Sequence, residues 1–249
     1  MPMSASGQAA DARQATVSIR YLDDSVREVS LDRLRLGDLE EPVPWRRFRS
    51  VRGQRHYSGS YACATTGGHV VYESRLELAR LLLADFDQEV TGILAQPFLV
   101  RSRVDGRARR HVPDFLLRMG SGIVRVVNVK PPGQLARPEV AAALAWPGEL
   151  VKRHGWQYEV WSGADPVVVE NVRFLAAYRR REIVAAGDAE LAFALVRDGE
   201  QVISAERRLE AAFPGTGGRA PVMALLWSGR LTTDLTRPID ADSVLRRAS

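Results

Sequence analysis

Glu77, Asp114 and Lys130 are the residues of this 249-residue chain whose types and order can do chemistry together. Glu77 lies in SRLELARLLLADF (Ser74 to Phe86), Asp114 in HVPDF, and Lys130 ends VVNVK. Asp114 and Lys130 stand 16 positions apart. That separation suits the start of one strand and the end of its antiparallel neighbour, so both side chains can reach one sheet edge. A helix preceding both can present Glu77 to the same edge. Oxygen ligands so placed hold Mg²⁺, the metal polarises a phosphodiester, and an ammonium beside it orients water or stabilises developing charge. Each residue also has a plainer reading. Ser74 and Glu77 match the capping box S-x-x-E, Asp114 after Pro113 can cap a turn, and Lys130 before Pro131-Pro132 can be a solvated strand end.

The choice of lysine favours the chemical reading. Of 35 basic residues only Lys130 and Lys152 are lysines, so the chain uses arginine wherever it needs plain positive charge. A compact, tunable ammonium beside a metal and a phosphate is not replaced by a guanidinium. Other chemistries find little. His56, His69, His111 and His154 lack metal-ligand spacing, no G-x-x-x-x-G-K-[ST] loop offers a nucleotide site, and Cys63 alone makes neither a disulfide nor a Cys-rich zinc site. His111, three residues before Asp114, either orients a phosphate or water or is a hydrogen-bonding strand residue.

The elements that must position these residues follow from periodicity. Apolar residues at 76, 79, 83 and 86 predict a helix over 74–86. Strands are predicted over 97–104, 112–117 and 123–129, a helix over 139–154 despite Pro147, and a strand over 157–161. The order helix, three strands, helix, strand implies an α/β fold, a mixed sheet flanked by helices. Alternation from Ala15 to Leu31 around Asp23-Asp24 predicts a hairpin. After Gly163, helices over 170–184, 188–196, 204–213 and 221–228 and a strand over 229–235 suggest a winged-helix-like module. Four segments result: a disordered tail over 1–14, a hairpin and basic arm over 15–60, a core over 61–165, and the helical module over 166–249.

A formal charge of +5 suits a nucleic-acid partner, and the arginines are clustered. Trp45 and Phe48 sit among Arg46, Arg47, Arg49, Arg52 and Arg55, either a solvated loop or a DNA contact. Arg101, Arg103, Arg107, Arg109 and Arg110 form a solvated hairpin or, beside a nuclease edge, a track for phosphates; Arg179, Arg180 and Arg181 are a further such group. No apolar run is long enough to span a membrane and no signal-peptide core opens the chain, so a cytoplasmic location is expected.

The runs VVYESRLELARLLLADFDQEV, AQPF, RRHVPDFLL and VVNVKP resemble the TnsA-like endonuclease subunit of heteromeric bacterial transposases, within the PD-(D/E)xK or restriction-endonuclease-like superfamily. The resemblance covers residues 40 to 165 well and the C-terminal part more loosely. It implies a restriction-endonuclease-like sheet over 61–165, and catalytic roles for Glu77, Asp114, Lys130 and Asn128. Glu77, Asp114 and the Val129 carbonyl would hold Mg²⁺, with Mn²⁺ able to substitute; Glu73 is the other carboxylate of the helix start. Arg46, Arg47, Arg49, Arg52, Arg55, Arg109, Arg110 and His111 would contact DNA. Partners would be transposon-end DNA, a DDE-type transposase subunit and an ATPase regulator, with one strand cut at each end. The chain departs from the superfamily at Asn128, a position often acidic, although members with Gln there exist. A non-catalytic assembly factor, a stand-alone defence or repair nuclease, and a transcriptional regulator built on the C-terminal module are the alternatives.

Overall fold

The hairpin expected around Asp23 is β1 (Thr16–Arg20) and β2 (Val26–Ser30), paired antiparallel from Thr16↔Ser30 to Arg20↔Val26. The computed structural model describes residues 14–46, 57–179, 186–213 and 217–248. Next come a short hairpin of β3 (Gly59–Ala62) and β4 (His69–Tyr72), then helix α1 (Arg75–Phe86). Five strands follow: β5 (Val90–Ala95), β6 (Leu99–Val104), β7 (Arg107–His111), β8 (Phe115–Met119) and β9 (Val124–Val129). A single turn α2 (Pro132–Leu135) leads into α3 (Pro138–Arg153) and strand β10 (Gln157–Trp161).

These strands build two four-stranded sheets. One has the order β2-β1-β6-β7 and is antiparallel throughout. The other has the order β10-β9-β8-β5 and is mixed: β5, β8 and β9 alternate in direction, while β10 runs parallel to β9. A parallel neighbour needs a crossover, which the α2–α3 segment supplies. One cross-strand row of the mixed sheet, Leu94, Leu116, Val126 and Tyr158, joins Val17, Ile19, Val100 and Val104 of the other sheet and Trp146, Leu150 and Val151 of α3 in a single core. Within α3, Gly148 lies so near Tyr158 that a Cβ there would sit 2.8 Å from the ring. Glycine is what lets β10 approach the helix, and the Tyr158 hydroxyl then donates to the Leu144 carbonyl at 2.9 Å.

The helix–three strands–helix–strand series stands on the mixed sheet as α1, β5, β8, β9, α3 and β10, but one member differs from expectation. The segment 97–104 pairs with β1 in the other sheet, and its place beside β8 is taken by β5. The cause sits between them: Gln96 adopts a left-handed φ of +47° and Pro97 has no N–H for a ladder, so the chain leaves the mixed sheet there. The strand expected over 112–117 starts later, at Phe115, because Pro113 interrupts the ladder. The Asp105-Gly106 turn, with φ of +49° and +75°, makes the arginine-rich segment before His111 a paired strand, β7.

By contacts the chain divides into two compact units, Met1–Arg80 with Glu89–Gly163, and Leu81–Gln88 with Ala164–Ser249. The second contains α4 (Pro166–Leu175), α5 (Ala186–Leu195), α6 (Val202–Ala212), α7 (Arg219–Trp227) and a two-residue pair of β11 (Leu231–Thr232) with β12 (Arg246–Arg247). The helix expected from 170 begins earlier because Asp165 caps it, accepting the Val167 N–H at 2.7 Å, with Pro166 at its first position. Only Leu231–Thr232 of the strand expected over 229–235 is extended pairing. Buried Asn171 holds the following loop: Nδ2 donates to the carbonyls of Leu235 and Arg237 and Oδ1 accepts the Ile239 N–H. Phe86 packs on Trp227 with ring centres 5.4 Å apart. Among the described residues no helix is long and apolar enough to cross a membrane.

Candidate active site

Asp114 and Lys130 meet because β8 and β9 are antiparallel neighbours. Phe115 pairs with Val127, so Asp114, just before β8, comes opposite Asn128 and next to Val129 at the end of β9. Asp114 is 7% exposed, and its Oδ2 accepts the Val129 N–H at 2.7 Å. The Lys130 ammonium stands 3.8 Å from the same oxygen and donates to the Val129 carbonyl at 3.0 Å. Asp114 Oδ1 has no hydrogen-bond partner among the described residues. Burial pushes the Asp114 carboxyl above its ordinary range, while Lys130, the Val129 N–H and Arg46 pull it down.

Glu77 comes from the first turn of α1. Its capping geometry is present: the Glu77 N–H donates to Ser74 Oγ at 3.1 Å, Ser74 Oγ donates to Glu77 Oε1 at 3.0 Å, and the Glu73 N–H donates to Oε2 at 2.7 Å. Capping does not explain its electrostatics. The carboxyl is lifted to about 7, chiefly by burial and with the help of the negative charges of Asp114 and Glu73, against the Glu73 N–H and the Ser74 hydroxyl. The Asp114 charge disfavours the charged form of Glu77, a repulsion that either a proton on Glu77 or a bound cation relieves. Among the described residues no three His, Cys, Asp or Glu side chains group as a cage for one. The donor set nonetheless suits Mg²⁺, which is commonly held by one or two carboxylates with waters and substrate phosphate completing the shell.

Asn128 faces elsewhere. It is 1% exposed, its Oδ1 is 2.6 Å from His111 Nε2, and its Nδ2 has no partner among the described residues. Burial holds the His111 imidazole down to about 4, so it is neutral near pH 7 and Nε2 carries the donated proton. His111 ends β7, edge-on to Trp146 with ring centres 6.2 Å apart. No family model matches the chain, and neither does any curated protein.

The arginines divide. Arg46 lies beside the carboxylates, its Nη1 2.6 Å from Glu73 Oε2. Arg109 and Arg110 are exposed on β7, and Arg110 shares a cleft with Arg46 and His111. Arg47, Arg49, Arg52 and Arg55 of the basic arm lie outside the described residues, as do Arg180 and Arg181. One residue that the spacing argument passed over is Gln96. It is 4% exposed, and its side chain joins Glu73 to the Arg46 backbone. The available signal was a lone polar residue between apolar runs, ILA-Q-PFLV, immediately before a proline.

Proposed function

We propose that the chain is a Mg²⁺-dependent DNA endonuclease of TnsA type on a restriction-endonuclease-like core, cutting one strand at transposon ends in the cytoplasm together with a DDE-type transposase and an ATPase regulator. The observation that carries this reading is the buried Asp114 carboxylate 3.8 Å from the Lys130 ammonium, within electrostatic reach of the buried Glu77 carboxylate. The order of elements on the mixed sheet supports the fold assignment, since α1 supplies Glu77, and Asp114 and Lys130 bracket the β8–β9 pair.

A metal held at this site would supply Lewis acidity toward a phosphodiester. Asp114 and Glu77 would hold it, and its charge would offset the repulsion that Asp114 exerts on Glu77. The Lys130 ammonium, drawn in by Asp114 and fixed by the Val129 carbonyl, stabilises negative charge developing on the phosphate or orients the attacking water. Val129 contributes through its N–H, which fixes Asp114, while its carbonyl is engaged by Lys130. Asn128 and His111 form a neutral pair behind the site. The winged-helix-like second unit would dock DNA or the partner subunits. Asp114→Ala should abolish Mg²⁺-dependent nicking of a transposon-end duplex while the protein still folds and binds DNA. Undiminished nicking would sink the site assignment.

A second reading, a non-catalytic assembly factor, draws on Asn128, which brings no carboxylate and bonds to His111 instead. Calorimetric titration with Mg²⁺ or Mn²⁺ in the presence of DNA separates the two, since absence of metal binding favours the assembly factor.

A further inference from the structure

Gln96 combines three properties that seldom coincide. It is 4% exposed, its φ of +47° is left-handed without being glycine, and each of its polar groups engages a different part of the chain. Nε2 donates to Glu73 Oε1 at 3.0 Å, and Oε1 accepts the Arg46 N–H at 2.9 Å. The backbone carbonyl accepts the Trp45 N–H at 3.1 Å, and the backbone N–H donates to the Asp114 carbonyl at 2.9 Å. Strain retained at a buried polar hub is typical of positions that serve a site.

The hub fixes Arg46. Its Nη1 donates to Glu73 Oε2 at 2.6 Å, so one Glu73 oxygen is held by Gln96 and the other by Arg46. The Glu73 charge is offset by that pairing, and the rest of the Arg46 fork has no partner among the described residues. The fork borders a cleft of about 330 Å³ lined by Trp45, Arg46, Leu99, Arg110, His111 and Val112. Two guanidiniums line it and no carboxylate does. It adjoins the candidate site, because His111 bonds to Asn128 and the Arg46 charge reaches Asp114.

We propose that this cleft seats the DNA phosphate neighbouring the scissile one, that Arg46 is its ligand, and that Gln96 is the positioning residue that keeps Arg46 aimed into it. The inference rests on the endonuclease reading for the identity of the ligand. A guanidinium held in one geometry before binding loses less conformational freedom on meeting a phosphate.

The test is salt-dependent binding of a duplex oligonucleotide without divalent metal, followed by fluorescence anisotropy between about 50 and 200 mM KCl. Each phosphate contact contributes about 0.9 to the slope of log K against log salt. Arg46→Ala should flatten the slope by about 0.9. Gln96→Leu should flatten it equally although Arg46 is still present, and the double variant should flatten it no further. A Gln96→Leu protein with the wild-type slope overturns the proposal even if it is less stable, and so do losses that add in the double variant. Should Gln96→Leu fail to fold, Gln96→Glu keeps the shape and the acceptor for the Arg46 N–H but repels Glu73. It must flatten the slope as well, and an unchanged slope overturns the proposal. Wild-type protein that binds no duplex overturns the endonuclease reading together with this one, whereas wild-type binding with an unaltered Arg46→Ala slope overturns the phosphate seat, and an altered Arg46→Ala slope beside an unaltered Gln96→Leu slope overturns the role of Gln96.

Discussion

Glu77 is both a helix cap and a candidate metal ligand, and replacing it with Gln separates the two roles. Its carboxyl is lifted from 4.5 to about 7. A carboxyl raised on folding binds more protons in the folded state, so stability falls as pH rises from 4.5 to 7 and stays low above that. At about 1.4 kcal/mol per unit, the cost is roughly 1 kcal/mol at pH 5 and about 3 kcal/mol at pH 8. Gln at this position removes the charge and keeps one oxygen to accept the Glu73 N–H, at a capping loss of about 1 kcal/mol. Glu77→Gln should therefore match the wild type at pH 5, within about 1 kcal/mol, and exceed it by about 2 kcal/mol at pH 8. Urea denaturation followed by tryptophan fluorescence at the two pH values reads the difference. Added Mg²⁺ should stabilise the wild type at pH 8 and leave the variant unmoved. A variant that is less stable by the same amount at both pH values would refute the reasoning, because capping alone predicts that pattern.

Four other outcomes are expected. Lys130→Met should cut nicking by about 10²–10³-fold, as for loss of one charge-stabilising donor, with stability within about 0.5 kcal/mol because its side chain is a third exposed. The His111 ring should stay neutral through pH 5 in an NMR titration, and its burial should destabilise the protein progressively as pH falls from 6.5 toward 4. Arg80→Ala breaks the two 3.0 Å bonds to Glu159 from a side chain 10% exposed, and should cost about 3 kcal/mol in chemical denaturation. Asn171→Ala removes three bonds to the 235–239 loop and should cost about 2–3 kcal/mol, with faster hydrogen exchange at the Ile239 amide.

Periodicity carried the sequence reading where an element buries one face or both. The run IVRVVNV became β9 and the 76-79-83-86 stripe became α1, since burial dictated their residue types. Boundaries set by single residues were harder to read. The Asp165-Pro166 start of α4 is a short local signal, outweighed by the stronger apolar pattern further along. Strand β5 was hidden because Thr91 and Gly92 interrupt its apolar run, and the segment 97–104 looked like the better strand. No period reveals that the latter joins a different sheet. That depends on the left-handed turn at Gln96. In the candidate site, the Asp114–Lys130 pairing was legible from a strand-sized spacing. The engagement of Asn128 by His111 was not, because it depends on which face of β7 meets the end of β9.

Strand β7 has a further consequence, for self-association. Among the described residues nothing pairs with its outer edge, so its free backbone groups would template another strand. Three of its five residues, Arg107, Arg109 and Arg110, are arginines with no ion-pair partner among the described residues. A second copy aligning there would bring guanidinium against guanidinium, and that repulsion keeps the edge unzipped at low salt. Polyanions and high ionic strength weaken the same repulsion. Concentrated protein should therefore remain dispersed at low salt and begin to associate as the salt concentration rises, the reverse of a protein held apart by hydration alone.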